Sequence, residues 1–239
     1  MTTLSLPEEL VLLGHDDSGT VLIATDDLDH SVAGAVLCDL AATGHLDLDV
    51  DGRVTAGGER APDPLGTDPL LEATWHRIHA AARQPPEHWV TALAPGLVDR
   101  VLDTLTEAGL LRREQGRVPI LRRTRYPTPD GTTPEPETEA RQRLLTARRG
   151  NGPVGARTAA LAGLLDALDA LRILGHTDAQ AAGTDTGTDG GAADWPQRCL
   201  ARYPSVEWAV AATRTVLDER RGRIARGVFI ATNVASGGS

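Results

Sequence analysis

The sequence predicts a mainly α-helical protein folded as one domain, with short β-hairpins between some of its helices. Three observations carry that prediction. Aromatic residues make up only 3% of the chain, with Phe229 the single phenylalanine, so the core falls to Leu, Val, Ile and Ala. Leu and Ala favour helix, and the aromatic strand formers are scarce. Apolar residues recur at helical spacing in one segment after another, each bounded by capping or turn residues. Neither an internal repeat nor an interdomain linker interrupts the 239 residues. A chain of that length buries roughly 70–75% of its unfolded surface and needs no metal or disulfide to stay folded.

The elements follow in order. Ser5 to Leu13 reads as a short helix, with Ser5 and Glu8 spaced as a capping box and Pro7 in the first turn, where a missing N–H costs little. Gly14 to Gly19 reads as a turn and Thr20 to Ile23 as a short strand. Asp29 or Ser31 is placed to cap a second helix that carries Val32, Val36, Leu37 and Leu40 and closes at Gly44. Leu46, Leu48 and Val50 alternate with aspartates ahead of Asp51-Gly52, the pattern of a hairpin. The same aspartates resemble the start of a calcium loop. That loop needs a bidentate carboxylate at its twelfth position, where Gly58 stands with Glu59 one residue late, so the hairpin reading is preferred.

Asp68-Pro69 opens a third helix bearing Leu70, Leu71, Trp75 and Ile78 and running to about Arg83. His76 and His79 on it, and His88 in the loop after it, lack the Asp, Glu or Cys that would complete a zinc set. Leu97, Val98, Val101, Leu102 and Leu105 stripe a helix closed by Gly109, and Leu110 to Leu121 reads as a basic hairpin. Thr128 to Glu139 is Pro-rich and reads as a loop. Helices are expected at about 137–149 and 157–173, the second capped near Thr158 and so nearly apolar all round that it belongs at the centre of the core. Low-complexity residues 179–193 predict a mobile surface loop, and the last helix is expected at 205–221. The domain is thus expected to span 4–221, with 222–239 as a C-terminal tail.

Composition limits the chemistry. The chain has no lysine and 24 arginines, which suggests a GC-rich bacterial genome. Its net charge is −9, yet residues 100–157 hold twelve arginines against seven acids, giving +5 there and −14 elsewhere. A basic middle in an acidic protein suits a docking surface for an anion or an anionic membrane, and equally a solvated face laced with arginine. The N-terminus lacks a basic stretch ahead of an apolar core, and no apolar run approaches the ~20 residues of a membrane span, so a soluble cytoplasmic protein is expected. Two cysteines, Cys38 and Cys199, exclude a disulfide scaffold, and both read as packed side chains. No phosphate loop, GxSxG elbow or HExxH helix is present. A non-enzymatic protein is expected, with no cofactor and no metal.

The order of segments carries a resemblance. LPEELVLLGHDDSGTVL, SVAGAVLCDLAATGHLDLD, GTDPLLEATWHRI, VDRVLDTLTEAGLL, the hairpin after it, RTRYPTPD and RTAALAGLLDAL together resemble the Golgi phosphoprotein 3 family, collinearly over residues 4 to 220. The resemblance implies a single-domain hydrophobic helical bundle surrounded by amphipathic helices. It also implies a peripheral membrane adaptor that binds phosphatidylinositol 4-phosphate; eukaryotic members retain glycosyltransferases at the Golgi. The family holds the headgroup with an aromatic residue and arginines, and inserts an apolar hairpin into the bilayer. Its headgroup positions fall near Ala24, Ala33, Pro95 and Val98 in this chain, with Arg100 close to the last. The hairpin matches better: Val118, Ile120 and Leu121 are membrane-inserting or interface candidates, flanked by Arg112, Arg113 and Arg117 and by Arg122, Arg123 and Arg125, which with Arg100 are the lipid-binding candidates.

The expected partner is an anionic phospholipid surface on the inner face of the membrane, together with protein clients or a second copy, and no nucleic acid. Two alternatives stand beside it. One is an interaction or oligomerisation module with the hairpin as its contact. The other is a winged-helix regulator, against which Asp99, Asp103 and Glu107 on the would-be recognition helix repel phosphate.

Overall fold

The computed structural model describes residues 4–57, 68–115, 124–175 and 194–236, with side chains in the last segment through Arg226. α1 (Leu6–Leu13) starts with the expected box: the Glu8 carboxylate accepts from the Ser5 N–H at 2.6 Å and from its hydroxyl at 2.9 Å. The segment expected as a strand at Thr20 to Ile23 pairs with no strand among the described residues and makes one isolated bridge, His15 to Val21. α2 (Thr25–Ala42) begins before Asp29 and Ser31, its expected caps, and closes at Gly44 as expected. Asp29 is used elsewhere: its carboxylate accepts the Val98 N–H at 2.8 Å and so caps the glycine-led start of α5 (Leu97–Glu107) from across the bundle.

β1 (Leu46–Leu48) and β2 (Val54–Ala56) pair antiparallel, Leu46 opposite Ala56 and Leu48 opposite Val54. The Asp49 carboxylate accepts from the Asp51 and Arg53 N–H groups inside the turn, and Gly52 supplies its positive φ of 72°. Val50 drops out of the alternation and is fully exposed. α3 (Pro69–Ala80) is capped by Asp68 and ends before Arg83. α4 (Pro86–Leu93) occupies what was expected as the loop around His88; Pro86 sits in its first turn, and Trp89, Val90 and Leu93 are buried.

β3 (Glu114–Gln115) and β4 (Thr124–Arg125) pair Glu114 with Arg125, so the basic hairpin closes later than Leu121. α6 (Glu135–Arg148) begins directly after Pro134, inside the stretch expected as loop. α7 (Ala156–Ala167) is capped at Gly155 rather than near Thr158, whose hydroxyl instead accepts from Arg143 at 3.3 Å. It stops well short of residue 173 because Asp169 turns into the left-handed region at φ 56°, and a 3₁₀ turn follows at Leu171–Gly175. The loop expected at 179–193 lies outside the described residues. α8 (Trp195–Leu200) was not expected, and α9 (Pro204–Ser236) runs far past 221 through the stretch expected as a tail.

α2 is the axis of the bundle. From Ser31 through Ala41 every residue on it is buried, and α1, α3, α4, α5, α7 and α9 all pack against it. Such a helix needs small residues where neighbours cross closely. A methyl at Gly34 would collide with Thr213 Oγ1 and lie 3.2 Å from Leu164 Cδ2. A methyl at Gly163 on α7 would come within 2.8 Å of Val210 Cγ1. Both crossings are on the buried face of α9, so α2 and α7 each meet α9 backbone-close. The expectation that the 157–173 helix lies in the core holds for its α7 portion, all of whose residues from Thr158 to Leu165 are buried.

Charge ties α1 to this axis. The buried Asp39 carboxylate accepts the Leu6 N–H at 2.6 Å. Glu9, also buried, accepts from Arg143 of α6 at 2.7 Å and lies 3.4 Å from Arg157 of α7, which donates to the Leu4 carbonyl. Burial raises the Asp39 carboxyl to about 6, although Arg157 and the Leu6 N–H both pull it down.

Two measurements check this packing. Gly34→Ala should cost about 1–3 kcal/mol in chemical denaturation, and adding Thr213→Ala should recover part of it, because it removes the severest contact, Oγ1, while Thr213 Cβ and Leu164 Cδ2 remain at 3.1 and 3.2 Å. For Asp39 the folded carboxyl binds its proton more tightly than the unfolded one. Its contribution to stability therefore rises as pH falls through about 6. The stability of the wild type relative to Asp39→Asn should accordingly increase by on the order of 1 kcal/mol between pH 7.5 and 5.0. A difference that stays flat over this interval contradicts the assignment.

Candidate functional site

The charge asymmetry of the middle of the chain narrows to one element. Between Arg112 and Arg125 stand six arginines and a single acid, Glu114, so these fourteen residues alone are +5. The arginines and acids of the rest of 100–157 cancel. Of the predicted site residues, Arg117, Val118, Ile120, Leu121, Arg122 and Arg123 lie outside the described residues. Arg112, Arg113 and Arg125 are at the base of the hairpin, all exposed. Arg112 is 3.8 Å from Glu114, and Arg113 is 3.7 Å from Asp103 of α5, with both pairs more than half exposed. Such exposed pairs hold an arginine weakly and leave it able to exchange for another anion.

The base of the hairpin is held by the loop between α1 and α2. Arg112 N–H donates to the Pro127 carbonyl at 2.8 Å, and Thr128 N–H donates to the Asp17 carbonyl at 3.2 Å. The Thr133 hydroxyl donates to the Asp17 carboxylate at 3.0 Å. Gly19, at φ 73°, lies directly under the backbone of Tyr126, where a methyl would come within 2.5 Å of its N and C atoms. Only glycine combines that φ with that approach. The base of the hairpin is therefore fixed to the bundle.

Beside that base is a cleft of about 750 Å³. Its walls are the loop from Val21 to Ala24, the start of α5 at Val98, Asp99, Leu102 and Asp103, and the hairpin residues Arg113, Thr124 and Tyr126. His15 also faces it; burial lowers the pKa of this imidazole, whose Nδ1–H donates to the Val11 carbonyl at 2.7 Å. Burial raises the carboxyl of Asp29 behind the α5 wall, and the neighbouring Asp99 adds to the effect. Burial likewise raises the Tyr126 phenol. Two carboxylates against one arginine make the cleft mildly acidic, in contrast to the basic sequence of the hairpin whose base borders it.

The structure sorts the remaining sequence candidates. Ala24 and Val98 line this cleft, Pro95 is exposed at the turn before α5, and Ala33 is sealed inside α2. Arg100 is exposed on α5 but is not among the residues that line the cleft. His79 stacks on Trp75 with ring centres 4.7 Å apart, His76 meets the same ring edge-on at 5.1 Å, and His88 packs edge-on against Trp89. Among the described residues no three His, Cys, Asp or Glu side chains are grouped to hold a metal ion. Cys38 is fully enclosed, with its thiol pushed up by burial. Among the described residues no helix is long and apolar enough to cross a membrane. The tether through Asp17, Gly19 and Tyr126 was missed by the sequence reading; Gly19 in a turn was its only local signal, because its partners lie more than a hundred residues away.

Comparison with known proteins gives this architecture its family. The model of the Golgi phosphoprotein 3 family matches residues 6–220, and the chain belongs to that family. No match was found among the curated proteins.

Proposed function

We propose that this member of the Golgi phosphoprotein 3 family is a non-enzymatic peripheral adaptor that docks on an anionic phospholipid surface through the hairpin between Arg112 and Arg125. In this reading Arg112, Arg113, Arg117, Arg122, Arg123 and Arg125 meet lipid phosphates, and Val118, Ile120 and Leu121 enter the acyl boundary. The observation that carries it is the concentration of the central positive charge in one hairpin whose base is fixed to the bundle. Each such arginine contributes on the order of 1 kcal/mol near an anionic surface. The acidic cleft beneath, with Ala24 and Val98 in its walls, argues for docking driven by surface charge over selection of one inositol headgroup. A cytoplasmic protein held on the inner membrane face would present the hairpin to anionic lipid, with protein clients carried on the remaining surface.

Liposome co-sedimentation tests this. The wild type should bind vesicles containing phosphatidylglycerol at low salt, release at high salt, and gain little from added phosphatidylinositol 4-phosphate. Changing Arg122, Arg123 and Arg125 to Ala should weaken binding by on the order of 100-fold. Equal binding by variant and wild type, or binding to neutral vesicles alone, would overturn the reading. Self-association lost in the variant, without any vesicle binding, would make the hairpin a protein contact.

A further inference from the structure

α9 carries a second cluster of arginines beside apolar residues in the sequence. Its buried face, which includes Val206, Ala209, Val210, Thr213 and Val216, ends at Leu217. From there to Arg226 no residue is buried, and the helix continues to Ser236, about 28 Å past Leu217 at 1.5 Å per residue. The extension begins with four arginines in seven residues, Arg220, Arg221, Arg223 and Arg226. The stretch from Gly227 to Ser236 then has no ionisable side chain and contains Val228, Phe229, Ile230 and Val234. Phe229 is the only phenylalanine of the chain, and it lies outside the span matched by the family.

Ion pairs fix where this helix departs. Arg220 lies 3.3 Å from Asp26 and 3.7 Å from Asp27, and Arg221 lies 3.7 Å from Asp27, both aspartates in the first turn of α2. Arg221 also reaches Asp218, and Arg223 is 3.9 Å from Glu219. The first two arginines thus anchor the helix, whereas Arg223 and Arg226 stand exposed on it. The departure point adjoins the base of the hairpin. Leu22, Ile23 and Ala24 form one wall of the cleft beside Arg113, Thr124 and Tyr126, and their other side lines a smaller pocket with Asp27, Arg172 and Arg221. Val21 in that loop and Ile224 on α9 are two of the three large apolar side chains exposed among the described residues.

We infer that the α9 extension, from about Arg220 to Ser236, is a second membrane anchor that lies in the interface of an anionic bilayer, alongside the hairpin. The inference rests on the lipid-docking reading above. Arginines ahead of an uncharged apolar stretch on a helix fit an interface whose headgroups are anionic, and no described helix is apolar enough to span. One weak anchor gives marginal, reversible attachment, and two anchors at one end of a rigid body bind together far more tightly than either alone.

Four full-length proteins separate the possibilities by co-sedimentation with phosphatidylcholine vesicles doped with phosphatidylglycerol: wild type, Phe229→Asp with Ile230→Asp, the hairpin triple-Ala variant, and both sets combined. A chain ended after Arg226 serves as a fifth, and thermal melting checks that each is folded. The α9 substitutions and the truncation should each weaken binding at least ~10-fold with an unchanged melting temperature, and the combined variant should bind no more than background. Loss in the hairpin variant alone, with the α9 variants binding as wild type, overturns this inference and leaves the hairpin reading standing. Loss in the α9 variants alone supports the anchor and overturns the hairpin reading. If the wild type binds no vesicle, or if the α9 variants dissociate an oligomer while binding vesicles as wild type, the extension is no membrane anchor.

Discussion

The constraint on which the rest of the molecule depends is the close approach of α2 to α9 at Gly34 and Thr213. A helix buried on every side has no solvated face to spare, so its neighbours are set by where its surface is small enough to admit them. Gly34 on α2 and Gly163 on α7 admit the same helix, α9, at Thr213 and Val210. Once α9 is held there, Arg220 and Arg221 can reach Asp26 and Asp27 at the start of α2. The loop just before that start is the strip, Leu22 to Ala24, on which the hairpin base also borders. One packing contact in the core thereby decides which surface elements share an end of the protein.

Electrostatics divides the arginines into two groups. Arg112 and Arg113 at the base of the hairpin are exposed and weakly paired. The cations inside the bundle are committed: Arg143 and Arg157 converge on Glu9, and Arg141 pairs with Glu137 at 2.7 Å. Buried carboxylates of this kind are costly to ionise, as the raised Asp39 and Glu137 carboxyls show, and they hold because each also accepts a hydrogen bond. The same residue type therefore neutralises buried carboxylates inside the bundle and stands exposed at the base of the hairpin.

Local signals made much of this legible. The Ser5–Glu8 capping box, the apolar stripe of α5 and the glycines after α2 and α5 act within a few residues, and the structure bears them out. What failed did so through partners distant in sequence. Asp29 looks like the cap of its own helix and caps α5 instead, which let α2 start earlier. Asp169 breaks the apolar run after α7 by taking a left-handed conformation that no spacing rule assigns to an aspartate. α4 had a readable signature in Pro86 and the spacing of Trp89, Val90 and Leu93, hidden by the two prolines that announced a loop. The site divides the same way. The arginines of the hairpin are plain in the sequence, whereas the Asp17–Thr133 tether and the neighbourhood of Arg221 and Ala24 exist only in the fold.

The central claim is that the end of the bundle where the hairpin base, the Val21–Ala24 loop and the departure of α9 meet is the face turned to the membrane. The most direct measurement is amide hydrogen exchange of the full chain with and without vesicles containing phosphatidylglycerol. Slowed exchange confined to 112–125, 21–24 and 220–236 is predicted. The turn between β1 and β2, a hairpin that follows the other end of α2, a helix about 27 Å long, should be unchanged. Protection at that turn with none at the hairpin, or no vesicle-dependent change anywhere, would contradict the account.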